Sequence, residues 1–173
     1  MSQDGTAFGA RMSLAAGVQL LVFIAVAAAG WEGLAMVLHM KAGFTGFLFL
    51  WYWATVEKAA FDRLLASVLG AGLGAALAWM LLYLPTAFGG AGLIVALAVL
   101  SGVVLMMIMG QAPLIVNNAS MLFLTVLTAP PLLGVVQAGA VDAAILLGAL
   151  YFGGLVYLAK LYTQSRARAR AVA

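Results

Sequence analysis

Apolar residues run along this chain in long stretches, with neither the strict alternation of a strand nor the one-sided stripe of a water-facing helix. The pattern predicts an all-α protein, a polytopic transmembrane helical bundle of about six spans. From Arg11 to about Leu38 only Gln19 and Glu32 interrupt the run. This exceeds the roughly 20 residues a span requires, so the first helix is expected to tilt, to kink near Gly30 or to protrude. His39, Lys41 and Gly43 make a short loop. The segment at 45–55, TGFLFLWYWAT, is a second, shorter apolar stretch, and its Trp51, Tyr52 and Trp53 suit the headgroup level. A third span is expected from about Phe61 to Leu84, stopped by Pro85, and a fourth from about Gly92 to Gly110. A fifth is expected from about Leu114 to Ala129, halted by Pro130 and Pro131, and a sixth from about Val141 to Tyr162. The residue pattern of one half is not duplicated in the other.

Composition sharpens this picture. The 173 residues are 66% hydrophobic and 8% charged, with mean hydropathy +1.18. A soluble domain carries about 25% charged residues, so these could not cover a water-facing surface. The chain has no cysteine, which excludes a disulfide framework, a thiol nucleophile and a thiolate metal site. A single histidine excludes a multi-histidine site within one chain, and Walker, HExxH and GxSxG motifs are absent. No catalytic residue, metal or cofactor is therefore expected, and the chain does not read as an enzyme.

The net charge of +3 is no footprint for nucleic acid. Three arginines fall in the last eight residues, where lipid headgroups are the natural partner. The first apolar run is too long for a removable signal and leads into no cleavage motif. Six spans put both termini on one side. With the termini cytoplasmic, Arg11, Lys58, Arg63, Lys160, Arg166, Arg168 and Arg170 lie inside and Lys41 alone outside, as the positive-inside rule prefers. The expected organisation is a cytoplasmic segment at 1–10, one transmembrane domain at 11–163 and a basic cytoplasmic tail at 164–173, in the inner (plasma) membrane.

Several residues are candidates for function. Ala66, Gly70, Gly74 and Ala78 recur every fourth position and give one narrow face on which another helix can pack closely. Glu32 is an ionisable group in an apolar stretch. Either it binds a proton or a cation, or the helix ends near Gly30 and Glu32 sits in the outer interface. His39 is its partner or a plain loop residue. Asn117, Ser120, Met121, Thr125 and Thr128 follow three- and four-residue steps, a polar stripe that could line a solute path or bond neighbouring helices. Asn118 projects about 100° away and suits a cap or a bond to a neighbouring backbone. Asp142 is expected to cap the sixth helix. Glu57, Lys58, Asp62 and Arg63 form a charged cytoplasmic turn, with Lys58 and Asp62 at i,i+4 spacing. Either this is a plain solvated face, or Asp62 or Arg63, at the mouth of a glycine-lined helix, greets an entering solute.

An arginine opening the first span, a short aromatic second segment, and a charged turn running into RLLASVLGAGLGAALAW resemble the membrane half of the fusaric-acid-resistance, or aromatic-acid-exporter, superfamily. Arg63, Gly70, Gly74 and Ala75 occupy places comparable to that family's arginine- and glycine-containing third helix, with longer spacing and no threonine after the first glycine. Asp142 and Gly148 are similar to a pattern in its sixth helix. The chain also resembles small uncharacterised inner-membrane proteins with a tryptophan near the first helix and a glycine-rich third. The exporter resemblance implies transport of a small, weakly acidic or aromatic organic solute, with Glu32 as a route to proton coupling. It also implies a homo-oligomer, most simply a dimer, because the family carries two such halves. The rival expectations are an accessory subunit packed against a partner membrane protein, and a passive channel for a small neutral solute.

Overall fold

The computed structural model describes residues 13–129, 132 and 137–172, and these form helices and turns with no strand. The helices are α1 (Leu14–Val37), α2 (Gly43–Thr55), α3 (Phe61–Ile108), α4 (Asn118–Leu127) and α5 (Ala138–Val172). The expected N-terminal segment at 1–10, Arg11, and the proline pair Pro130–Pro131 lie outside the described residues.

The 48 residues of α3 are a hairpin, because Gly89 leaves the helical region at φ 59, ψ −139. Gly92 consequently lies against the carbonyl of Leu84, eight residues earlier. In an unbroken helix those residues would be about 12 Å apart along the axis. A side chain at this φ is strained, so glycine is the residue that permits the reversal. The two arms, 61–88 and 90–108, correspond to the expected third and fourth spans, but the break is not at Pro85. The first arm runs through the proline. Pro85 keeps a helical φ and costs the helix only its own bond to Leu81, while the Thr86 hydroxyl donates to the carbonyls of Leu82 at 3.2 Å and Tyr83 at 2.8 Å.

Two expected spans are short. α2 has 13 residues and α4 has 10, giving lengths of about 20 and 15 Å against a hydrocarbon core of about 30 Å. The expected fifth span begins late because residues 114–117 are a turn that ends in a cap. Asn117 is extended (φ −148, ψ −177), and its Oδ1 accepts from the Ala119 N–H at 3.0 Å. The Ser120 hydroxyl donates to the Asn117 carbonyl at 2.6 Å and accepts from the Asn117 N–H at 3.3 Å, completing a capping box. Asn117 is thus the cap, and Asn118, expected in that role, is the exposed first residue of the helix.

A repetition emerges that the residue pattern does not display. The order long, short, long occurs twice, as α1, α2, 61–88 and then 90–108, α4, α5. Each short helix carries a buried hydroxyl three residues after its cap, donating back to the cap carbonyl: Thr45 to Ala42 at 2.7 Å and Ser120 to Asn117 at 2.6 Å. Each also packs on the last long element of the other half, at a glycine. A Cβ on Gly148 of α5 would stand 2.8 Å from Gly46 Cα of α2, and one on Gly74 would stand 2.8 Å from Phe123 Cβ of α4. Both pairings are parallel. Gly46 lies at Gly148 while Trp53, at the far end of α2, reaches Phe61 and through it Tyr157; Asn117 lies at Ala66 and Gly70, and Leu124 at Gly74. The 61–88 arm and α5 are antiparallel, since Phe61 meets Tyr157 and Leu64 meets Gly153. The two short helices therefore run in opposite directions.

The core lies between these crossings, and Trp31, Phe49, Trp53, Phe123, Ile145 and Phe152 are all buried in it. The indole N–H groups of Trp31 and Trp53 donate to the carbonyls of Gly43 and Ala60, each at 2.9 Å, so neither is a buried orphan. The aromatic segment is thus mostly interior: Trp53 and Tyr52 are buried, and only Trp51 faces outward. The sides of the molecule expose Val37, Ile94, Ile108 and Leu150, each more than 70% accessible. An apolar surface on that scale belongs in lipid. α1, α3 and α5 are long and apolar enough to cross a membrane. α1 and α5 are antiparallel, with Leu38–Lys41 beside Ala140–Leu147 and Phe23 beside Leu155. The described start of α1 and end of α5 therefore share one end of the bundle.

Candidate functional site

The small-residue seam on α3 is occupied by the chain itself. The Asn117 side-chain amide donates to the Ala66 carbonyl at 2.9 Å, across 51 residues of sequence. Gly70 lies directly under the Asn117 side chain and Gly74 under the Ser120 carbonyl, while Ala78 is buried beyond them. Close backbone approach is the physics expected of such a seam. Its partner, however, is α4 of the same chain, so the seam is not free to pair two copies.

The polar stripe divides into two uses. Ser120 serves the cap described above, and Asn117 serves both that cap and the bond to Ala66 of the neighbouring arm. The Thr125 hydroxyl donates to Met121 O at 2.7 Å, and that of Thr128 to Leu124 O at 2.8 Å. Both threonines bond their own helix rather than a neighbour, and Thr125 is exposed. None of the four lines any of the grooves described below.

Glu32 lies inside α1, which continues unbroken to Val37 rather than ending near Gly30. It faces outward beside the buried Trp31. His39 is in the turn after α1, at φ 51, with Lys41 close behind. At the other end of α2, Tyr52 donates from its hydroxyl to Glu57 at 2.9 Å. Lys58 sits at φ 52 in the turn before α3, outside the helix, so the helical pairing expected with Asp62 does not form. Asp62 is instead 3.9 Å from Arg63, in an exposed contact that contributes little. The Lys160 ammonium stands 4.5 Å above the Phe61 ring, which places Lys58, Arg63 and Lys160 at one end of the bundle and Lys41 at the other.

The structure draws attention to a place the sequence reading passed over. Between the 61–88 arm and α5 runs a groove of about 420 Å³, lined by Val68, Leu69, Gly72, Leu73, Ala76, Ile145, Leu146 and Asp142. Asp142 is its only ionisable residue among the described residues. It does not cap α5: that helix begins at Ala138, with Gln137 accepting the first backbone bonds, and Asp142 lies in the next turn. Asp142 has no hydrogen-bond or ion-pair partner among the described residues. The signals for this site were a carboxylate within a membrane-length window and a glycine, Gly72, off the seam. A second groove, of about 430 Å³, has His39, Lys41 and Gln137 on its rim and Met40, Ala143 and Leu147 among its apolar lining. No group of histidine, cysteine or carboxylate side chains among the described residues could hold a metal ion.

Comparison with protein families, curated proteins and solved structures yields no match.

Proposed function

We propose that the chain is a multi-pass inner-membrane permease subunit that moves a small organic solute. The observation that carries this reading is the doubled order long–short–long, with the short helices running in opposite directions and each packed on the other half. Transporters are commonly built from inverted halves, with short or interrupted helices meeting near the middle of the bilayer. In this reading the chain crosses the bilayer six times, with α1, both arms of α3 and α5 as long spans and with α2 and α4 as short helices that complete their crossings through the turns beside them. The resemblance to aromatic-acid exporters supports the same class. The cytoplasmic side is the end that carries Lys58, Arg63 and Lys160, following the positive-inside rule, and both termini belong there. Two carboxyls lie within the apolar helices, Glu32 facing outward on α1 and Asp142 in the groove on α5, and proton coupling would use one of them.

The test is flux into proteoliposomes containing purified protein, measured with a panel of organic acids, amines and neutral solutes against empty liposomes. Saturable flux of any member supports the reading, and none above background refutes it. A second reading is favoured by one observation: Asn117 and Ser120 are spent on a cap, leaving the interior between α3 and α4 closed. A stoichiometric partner retained through purification in mild detergent would favour an accessory subunit over a self-contained permease.

A further inference from the structure

The groove between the 61–88 arm and α5 combines three features. It lies between the last long elements of the two halves, and therefore along the boundary where inverted-repeat transporters bind their substrates. Its volume of about 420 Å³ falls within the range of small-molecule sites. Its lining is apolar on both walls, with Leu69, Leu73 and Ile145 flanking Gly72, whose missing side chain leaves open space: a Cβ there would meet nothing within 4 Å. The one charged group, Asp142, belongs to the apolar window Gly139–Ser165, about one turn from its start. A carboxylate so placed is reachable from the aqueous end, while the rest of the groove leads into the apolar layer. Asp142 is exposed at the mouth of this apolar groove, and the described residues supply no cation to it.

We propose that this groove is a binding site for a small organic cation, with the charged head at Asp142 and an apolar body against Leu69, Leu73 and Leu146. The proposal rests on the permease reading and sets its substrate class. It favours an amine or quaternary ammonium over the weak acid implied by the exporter resemblance, because Asp142 would repel a carboxylate. Gly72 sets the width of the groove, so a side chain at this position excludes the ligand without disturbing the seam at Gly70 and Gly74.

Tetraphenylphosphonium and tetraphenylborate, matched in shape and opposite in charge, are the probes. Equilibrium binding to the full chain in detergent is expected to be saturable for the cation, at about one per chain, and undetectable above micelle background for the borate. Asp142→Asn is expected to weaken cation binding by about tenfold or more, the scale of a close charge pair. Should that variant fail to give a monodisperse, helical protein, Gly72→Leu, which keeps the carboxylate and fills the groove, must abolish binding by itself. Equal binding of both ions, or wild-type cation binding by folded Asp142→Asn or Gly72→Leu, overturns the proposal. So does displacement of the cation by equimolar phosphatidylethanolamine, which would assign the groove to a lipid. A disulfide between copies of Ala76→Cys would overturn it by assigning the groove to a second chain. Flux of acids or neutral solutes without cation binding removes the substrate class and leaves the permease reading standing. Cation binding without flux of any solute does the reverse.

Discussion

Gly74→Ala asks whether α4 lies on α3 as closely as the structure has it. An added Cβ would stand 2.8 Å from Phe123 Cβ and 2.9 Å from the Leu124 amide nitrogen, and closer still to the Ser120 carbonyl. Two of these contacts are backbone atoms of a helix end fixed by a capping box, so they cannot swing aside as a long side chain would. The helices must part by several tenths of an ångström or more. Overpacking of this kind costs about 1–3 kcal/mol. Replacing glycine by alanine in a helix interior returns up to about 1 kcal/mol. The net expectation is a loss of roughly 0–3 kcal/mol. Gly72→Ala, two residues earlier, meets nothing within 4 Å and should show only the gain, up to about 1 kcal/mol. The pair therefore differs by about 1–3 kcal/mol, a gap of several degrees in thermal unfolding. Tryptophan fluorescence during heating in one detergent measures it, since both variants share every other residue. If Gly74→Ala proves as stable as Gly72→Ala, α4 does not sit on this glycine, and the reciprocal packing of the two halves loses half its support.

Further outcomes follow from other contacts. Asn117→Ala removes a helix cap and the bond to Ala66, and should cost about 1–2 kcal/mol; Asn118→Ala, exposed and uncapping, should be nearly neutral in the same melt. Gly89→Ala forces a side chain into φ 59, ψ −139, and should cost about 1–3 kcal/mol; an unchanged melting temperature would argue against the hairpin. Because the native chain has no cysteine, Lys41→Cys and Lys58→Cys can be labelled on intact cells with a membrane-impermeant thiol reagent. Lys41→Cys should react from outside and Lys58→Cys only after permeabilisation, and the opposite pattern would invert the topology.

Much of the architecture was legible in the residue pattern, because burial in lipid imposes a rule that composition states openly: apolar length must match the bilayer. Class, helix content and the long elements α1, 61–88, 90–108 and α5 follow from that rule. The pattern of small residues at Ala66, Gly70, Gly74 and Ala78 likewise announced a close helix contact, since only small side chains allow it. What remained hidden were questions of partnership. Which helix fills the seam depends on the direction and place of α4, and these are set by a cap at Asn117 whose amide reaches 51 residues back to Ala66. Proline looked like the stop and glycine supplied it, because a proline forfeits one bond but holds a helical φ whereas a backbone at positive φ cannot continue a helix. The repetition of the two halves lies in helix length and direction rather than in residue identity, so no comparison of letters exposes it. Asp142 reads from the sequence as a helix-opening residue and becomes a groove residue only once α5 begins a turn earlier and the 61–88 arm lies alongside. Covalent spacing determines which faces a helix has. Tertiary packing alone decides what each face meets.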